Sequence, residues 1–241
     1  MASTWGTLAP ALKAEGYCVF ALNYGAKRPG APGNMFGLVG GSTIEQSARD
    51  LAEFIEEVLE RTGASQVDVV GHSQGSVVAR EYLKNAGGTD PTDPSRNKVR
   101  TLVSLAGTNQ GTSFNWNQRI GAIAERFGIP VVRLAAAAVG PSYVEQMAGS
   151  PFLKRLNAGG DTLPGVNYVA VGTRQDNMVT PPERSFLRES PGASVRNIWI
   201  QDGCEKALVD HMQMTSSPRS IWITLSALDP NYEADNPAPC P

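Results

Sequence analysis

The feature that most constrains this chain is a β-branched apolar run that ends in a Gly-x-Ser-x-Gly pentapeptide at Gly71–Gly75. The run predicts a buried strand and the residues after it predict a helix, so Ser73 falls at the apex of a sharp strand-to-helix turn. Glycines suit positions 71 and 75 because a side chain there is expected to collide with a neighbouring strand or helix. A chance pentapeptide in a glycine-rich loop is the alternative, but it does not explain the strand and helix on either side. We therefore predict that Ser73 is a nucleophile and that the backbone N–H of Gln74, at the helix start, faces developing negative charge.

Strand-like and helix-like segments alternate along the 241 residues, which predicts a single α/β domain over residues 1–241, with a mostly parallel sheet flanked by helices. The predicted strands are Tyr17–Asn23, Val67–Gly71, Val99–Ala106, Asn167–Val171 and Val195–Ile200. The first of these is almost wholly apolar, as expected of a strand buried on both faces. The first predicted helix ends at Gly16, and the second covers 44–61, starting at a capping box Ser42–Glu45 and ending at Gly63. Another helix follows Ser73. Further helices are predicted as short pieces at 120–127 and 131–139 and as a last helix over 220–228.

Composition excludes several classes of function. The net charge of −2 gives no basic surface for nucleic acid, and no apolar stretch approaches the roughly 18 residues of a membrane span. The first residues lack the charged start and apolar segment of a signal peptide. Two histidines and three cysteines show no metal-ligand spacing, so we expect neither a metal nor a cofactor. Cys18, inside an apolar run, is predicted to be a buried thiol.

A serine nucleophile needs a base, and the chain offers two histidines. His72 adjoins Ser73 on the turn, so its side chain is expected to point away from the hydroxyl. His211 is then the base by elimination; a surface histidine is the alternative, but it leaves Ser73 without a base.

Three carboxylates compete to orient that base. Asp176 comes directly after the strand Asn167–Val171, at the edge of the sheet where the acid belongs. Asp202 is better placed as a turn residue. Asp210 adjoins His211, and adjacent side chains rarely fold back onto one another, which favours a structural or capping role. We therefore predict Asp176 as the acid that fixes the imidazole tautomer and stabilises the imidazolium.

The stretch 107–164 is irregular and apolar, and two interpretations of it stay open. Its residues Phe114, Trp116, 134–139 and Tyr143 suit a cap or lid over an acyl pocket, or equally the core of extra helices. Residues 229–241 are predicted to be a C-terminal tail. Cys204 and Cys240 are candidates for a disulfide that anchors this tail, although the residues alone do not decide the pairing.

With these motifs in place, the chain resembles the secreted bacterial class 2 triacylglycerol lipases, an α/β-hydrolase family. The likeness covers nearly the whole chain and rests on Gly71-His-Ser-Gln-Gly75, Thr173-x-x-Asp176-x-x-Val179-x-Pro181, Asp210-His211, Ser3-Thr-Trp-Gly6, Tyr24-Gly25, Ile44-x-x-Ser47-Ala48 and Asn197-Ile-x-Ile-Gln-Asp-Gly-Cys204. The resemblance implies Ser73 as nucleophile, Asp176 as acid and His211 as base. It also implies a Cys204–Cys240 disulfide and a secreted protein. At Gln110 the family often has histidine, a departure expected to alter the pocket entrance.

The chain departs from this family at its start. Relatives place a strand and a His-Gly turn, the source of the first oxyanion N–H, just before the Ser-Thr-Trp helix, and this chain begins inside that region. Gln74 alone remains of the expected pair of donors, and losing one donor typically costs about 10²–10³-fold in rate. We expect a start codon assigned too late, with a shortened natural protein as the other explanation.

The function hypothesis is a serine ester hydrolase that acts on acyl glycerols or other lipid esters through an acyl-enzyme. Lipase and short-chain esterase both remain open, as do amidase and thioesterase within the same chemistry. The expected partner is a small lipid or ester substrate, with contact at a lipid interface; the sequence defines no oligomeric state. The hypothesis from another class is a non-catalytic lipid- or partner-binding protein of the same fold that lacks a complete oxyanion hole.

Overall fold

Four parallel strands form one sheet in the part of the chain that the computed structural model describes, residues 4–25, 39–113 and 140–240. They are β1 (Val67–His72), β2 (Val99–Leu105), β3 (Asn167–Gly172) and β4 (Ser194–Trp199), and their order across the sheet is their order along the chain. The four predicted strands from residue 67 onward are thereby confirmed. Because all four run the same way, their carboxyl ends meet at one edge of the sheet.

Helices cover both faces of this sheet. In the described residues they are α1 (Leu8–Ala14), α2 (Ile44–Thr62), α3 (Gln74–Asn85), α4 (Pro141–Glu145), α5 (Pro151–Leu156), α6 (Pro218–Leu228) and α7 (Tyr232–Asp235). The core on one face joins α2, α3 and α5 to the sheet, through buried residues such as Ile44, Val77 and Phe152. The core on the other face joins α1 and α6 to the sheet, through Leu8 and Ile223. These layers match the predicted α/β architecture.

The prediction of a fifth, doubly buried strand over Tyr17–Asn23 is wrong. This segment has no assigned strand, its residues are half-buried or exposed, and the Cys18 thiol is exposed rather than buried. A strand requires hydrogen bonds to a neighbour, and within the described ranges this segment pairs with no strand. Its end is anchored instead, because the N–H of Gly40 donates to the carbonyl of Tyr24 at 2.9 Å.

The start of α2 lies one residue later than the predicted capping box. Thr43, not Ser42, is the N-cap, and its side chain accepts a hydrogen bond from the N–H of Gln46 at 3.2 Å. At the other end Gly63 stops the helix as predicted, with a positive φ of 71° that glycine adopts without strain.

The predicted cap falls partly outside the described residues. Phe114, Trp116 and the predicted helical pieces at 120–127 and 131–139 all lie outside them. The part from residue 140 onward is attached to the start of α2. The hydroxyl of Ser142 donates to the carbonyl of Gly40 at 2.6 Å, and the carboxylate of Glu145 accepts from the N–H of Ile44 at 2.7 Å. A cap role for 107–164 stays a prediction.

A buried ion network ties α3 to the loop after β2 and to the segments that precede β3 and β4. The guanidinium of Arg80 lies 3.5 Å from the carboxylate of Asp161, and both side chains are almost fully buried. The same carboxylate accepts from the backbone N–H of Arg188 at 2.8 Å and from the side chain of Gln110 at 2.6 Å. Arg80 also donates to the carbonyl of Asn109.

We expect Asp161→Asn to lower the free energy of unfolding by about 3–5 kcal/mol, because it leaves the Arg80 guanidinium buried without a counter-charge. Arg188→Ala is the matched control, since the Arg188 side chain is 67% exposed and such pairs contribute about 0–1 kcal/mol. Equilibrium denaturation in urea measures both. Equal losses in the two variants would contradict this account of the network.

The C-terminal tail is held by the Cys204–Cys240 disulfide, whose Cα atoms lie 5.5 Å apart, and the pairing that the family resemblance implied is confirmed. Arg219 of α6 joins the same parts, because its guanidinium donates to the carbonyls of Ile200 and Pro239 at 2.8 and 2.9 Å. The predicted tail therefore packs against the body of the domain and includes α7.

We expect Cys240→Ser to lower the free energy of unfolding by about 3–4 kcal/mol, because the bond closes a loop of 36 residues in the unfolded chain. Cys18→Ser removes the exposed, unpaired thiol and serves as the control, with a negligible effect expected. Denaturation of the oxidised proteins gives both values. A change of less than about 0.5 kcal/mol for Cys240→Ser, the range of an ordinary surface substitution, would contradict the expectation.

None of the helices in the described ranges is long and apolar enough to cross a membrane. Over the same residues, no three or more His, Cys, Asp or Glu side chains are grouped so that they could hold a metal ion.

Candidate active site

Ser73 lies at the turn between β1 and α3, as the pentapeptide predicts. Its φ of 53° and ψ of −121° lie in a region that non-glycine residues rarely adopt. Gly71 permits the turn, since a Cβ there would lie 2.7 Å from the backbone nitrogen of Ser76. The predicted collision at position 75 is wrong for the described residues, because the nearest atom to a Cβ there is the Tyr24 hydroxyl oxygen at 3.6 Å, an ordinary contact.

The start of α3 presents backbone donors beside Ser73. Within the described chain, the N–H groups of Gln74 and Gly75 donate to no protein acceptor. The helix dipole places partial positive charge at the same point. A negatively charged oxygen formed at Ser73 would therefore find stabilising donors at the position predicted for Gln74.

Asp176 and His211 form a buried pair. Nδ1 of His211 lies 2.9 and 3.0 Å from the two carboxylate oxygens of Asp176, and both side chains are nearly inaccessible to solvent. The carboxylate also accepts from the N–H groups of Met178 and Val179, each at 2.8 Å. These donors hold the carboxylate in one orientation, and the carboxylate in turn fixes the ring of His211 with Nε2 directed away from it.

The structure separates the other two carboxylates from this pair. Asp202 accepts from the N–H of Trp199 at 3.0 Å in the turn after β4. Asp210 accepts from the N–H of Gln213 at 2.9 Å, at the start of the short 3₁₀ helix Met212–Thr215. Both therefore have the turn and capping roles that the sequence predicted.

His211 lies next to the turn that carries Ser73. Nε2 of His72 is 2.9 Å from the main-chain oxygen of His211, and the centres of the two rings are 4.8 Å apart. In the described residues no hydrogen bond joins the Ser73 hydroxyl to the ring of His211. Contacts of this kind commonly tighten when substrate binds.

Two residues that sequence reasoning missed support the loop before His211. The hydroxyl of Thr173 donates to the carbonyl of Val209 at 2.5 Å. The amide of Gln201 donates to the same hydroxyl at 3.1 Å and to the carbonyl of Ala207 at 3.3 Å. Both residues belong to stretches that carry the family resemblance, and that was the available signal.

Three exposed apolar side chains lie close in sequence to Asp176 and His211. Met178, Leu208 and Met212 are 45%, 78% and 68% exposed. Met178 follows Asp176 by two residues, and the other two flank His211 on its own loop. Exposed apolar side chains of this size around a site are typical of surfaces that meet apolar ligands.

Gln110, the departure from the family pattern, lies within the buried ion network. Its side-chain amide donates to Asp161 at 2.6 Å, and its own amide oxygen accepts from Asn157 at 3.1 Å. Its expected effect on the pocket entrance stays a prediction.

A parallel sheet between helix layers, with a serine on a strand-to-helix turn and a buried His–Asp pair beside it, defines the α/β-hydrolase fold. A family model described as lipase (class 2) matches residues 1–222. The chain therefore belongs to the class 2 lipase family.

Solved structures share the fold at low sequence identity. Lipase B from Aspergillus fumigatus is 18% identical with a TM-score of 0.61; the match covers 79% of this chain and 43% of the fungal one. The mature Bacillus licheniformis lipase BlEst2 is 14% identical with a TM-score of 0.52, covering 80% of this chain and 77% of that one. A bromoperoxidase from Bacillus anthracis is 16% identical with a TM-score of 0.51, covering 92% and 85%. This chain thus spans less than half the length of the fungal lipase.

Burial, and after it the electrostatic effect of the His211 ring, lower the pKa of His72, while the contact with the His211 carbonyl and the nearby Asp176 act in the opposite direction; the net pKa is about 4. The ring is therefore neutral near pH 7. The folded protein binds a proton at this site less readily than the unfolded chain, whose histidine titrates near 6.5.

We expect the free energy of unfolding to fall as the pH is lowered from about 6.5 to about 4, because the unfolded chain gains a proton at His72 that the folded protein excludes. His72→Gln removes this titration. As the pH is lowered through that range, the free energy of unfolding of the variant should therefore fall less than that of the unmodified protein. Urea denaturation at several pH values tests it. A difference that is independent of pH would contradict the assignment.

Proposed function

We propose that this chain is a serine carboxylic-ester hydrolase that acts on lipid esters, with Ser73 as nucleophile, His211 as base and Asp176 as the acid that orients the base. The observation that carries the proposal is the buried 2.9 Å contact between Nδ1 of His211 and Asp176, on a loop that touches the turn of Ser73. Membership of the class 2 lipase family supports the same chemistry.

In the first half of the reaction, Nε2 of His211 takes the proton of the Ser73 hydroxyl while Oγ attacks the ester carbonyl. The tetrahedral intermediate carries its negative charge on the former carbonyl oxygen, which the Gln74 N–H stabilises. The intermediate expels the alcohol, which receives the proton from His211, and an acyl-serine remains.

In the second half, water attacks the acyl-serine. His211 accepts a proton from the water, a second tetrahedral intermediate forms at the same donors, and Ser73 leaves with the proton returned by His211. Asp176 accepts the hydrogen bond from Nδ1, which keeps the proton of neutral His211 on that nitrogen and stabilises the imidazolium. The N–H groups of Met178 and Val179 hold the carboxylate in the orientation that faces Nδ1.

The substrate class proposed is carboxylic esters with apolar acyl groups, including acyl glycerols. The exposed Met178, Leu208 and Met212 beside the pair support an apolar substrate or a lipid interface as partner. The disulfide and the family support a secreted protein, because such bonds persist in oxidising compartments.

A second candidate function is binding of lipid or a partner without catalysis. The observation that favours it is the absence, within the described residues, of a hydrogen bond between the Ser73 hydroxyl and His211.

Hydrolysis of p-nitrophenyl butyrate and palmitate separates the two functions. We expect the purified chain to hydrolyse at least one ester, with Ser73→Ala lowering kcat by about 10³-fold or more. The ratio of the two rates assigns esterase or lipase. Folded, soluble protein that shows no turnover above the Ser73→Ala blank would support the non-catalytic function instead.

Among the carboxylates, we expect Asp176→Asn to lower kcat by about 10⁴-fold, because the amide favours the wrong tautomer of His211. Asp202→Asn is the matched control and should leave kcat near the value of the unmodified protein, since Asp202 caps an exposed turn. Steady-state kinetics on the better ester measure both. If Asp202→Asn were the more damaging change, the assignment of Asp176 would be wrong.

A further inference from the structure

His72 is the second histidine of the chain, and the proposed reaction does not use it. Its side chain points away from the turn and toward the loop of His211, where Nε2 lies 2.9 Å from the main-chain oxygen of that residue. The two imidazole rings are 4.8 Å apart and tilted by 46°. The residue before the nucleophile therefore contacts the proposed base at two places.

The chemistry of this contact fixes the state of His72. A carbonyl oxygen only accepts hydrogen bonds, so Nε2 of His72 must carry the hydrogen. The charged and titratable groups that face this ring are His211 and Asp176. A neutral ring with its hydrogen on Nε2 makes the contact without placing a second positive charge beside the imidazolium that forms on His211 during the reaction.

Asp176 binds the ring of His211 at Nδ1. This contact alone does not fix the position of the ring, because the ring still moves whenever the backbone of His211 moves. The backbone of His211 lies at the start of a 3₁₀ helix, between the buried residues Val209 and Met214, and the carbonyl of Val209 accepts from Thr173. The contact from His72 is the one that binds the main chain of His211 itself to the turn of Ser73, in the part of the chain that the structure describes.

We propose that His72 is a positioning residue for His211: by donating Nε2–H to its main-chain carbonyl, it sets the distance between the base and the Ser73 hydroxyl. The inference rests on the proposed function and extends it to a residue outside the Ser–His–Asp set. Because His72 is the last residue of β1 and Ser73 follows it directly, the same strand end places the nucleophile and, through His72, its base.

Two amide variants test the inference. The side-chain nitrogen of glutamine is separated from Cβ by the same number of bonds as Nε2 of histidine. The side-chain nitrogen of asparagine is separated from Cβ by only as many bonds as Nδ1 of histidine, so it does not reach the carbonyl of His211. We expect His72→Gln to keep kcat near that of the unmodified protein. His72→Asn, and His72→Leu as a variant without a donor, should lower kcat by about 10- to 100-fold with little change in KM, because a misplacement of about 1 Å can cost this much.

A second readout does not depend on turnover. The proton on Nδ1 of His211, shared with Asp176, should give a downfield NMR signal that is present in the unmodified protein and in His72→Gln, and that exchanges faster with water in His72→Asn. Thermal unfolding of the variants at neutral pH shows whether each is folded, so a loss of kcat in a folded His72→Asn protein supports positioning.

Equal kcat in the Gln and Asn variants, whether both high or both low, would overturn the inference, as would an unchanged His211 signal in His72→Asn. Failure of the proposed function is a separate result: it would appear as the absence of Ser73-dependent turnover in the unmodified protein. The kcat values of the variants can be compared only if the unmodified protein shows this turnover. The NMR signals can be compared whether or not the protein is active.

Discussion

The positive-φ conformation of Ser73 is the constraint on which the rest of the site depends. A non-glycine residue in such a region costs about 1–3 kcal/mol and persists only where its surroundings determine it. Here the N–H of Ser73 donates to Leu105 at 2.9 Å, and its carbonyl accepts from Ser76 and, more weakly, from Thr108. The close approach of α3 at Gly71 completes the enclosure. The strained residue is thus held by the next strand, the next helix and the loop beyond.

The parallel sheet converts this local turn into a site. Ser73 follows β1, Asp176 follows β3 and His211 follows β4, so all three leave the sheet at its carboxyl edge. Residues distant in sequence then need only short loops to meet. The contacts of Thr173 and Gln201 fix the loop before His211, and Ala207, Val209 and Met214 of that region are buried in the core. Polar contacts and apolar packing thus hold this edge of the sheet together.

Much of this was predictable from sequence because the signals were local or few in number. The Gly-x-Ser-x-Gly turn carries its own strand and helix, and with two histidines in the chain the sequence could single out His211, which the structure places beside Asp176. The prediction for the segment Tyr17–Asn23 was wrong because an apolar run favours a strand but does not determine one. A strand also needs a hydrogen-bonded neighbour, and the residues of the run do not show whether such a neighbour exists. For the same reason the contact of His72 with His211 was not predictable: it depends on how two loops 139 residues apart fold together.

The disulfide has a topological consequence for the chain. Cys204 and Cys240 enclose a covalent ring, and His211 and the whole of α6 lie inside it. A protease that cuts once anywhere within this ring produces two polypeptides that stay joined through sulfur. His211 would then remain attached to the portion of the molecule that carries Ser73, and the cut would be visible on a gel only after reduction. The segment that bears His211 is in this sense tethered at both of its ends.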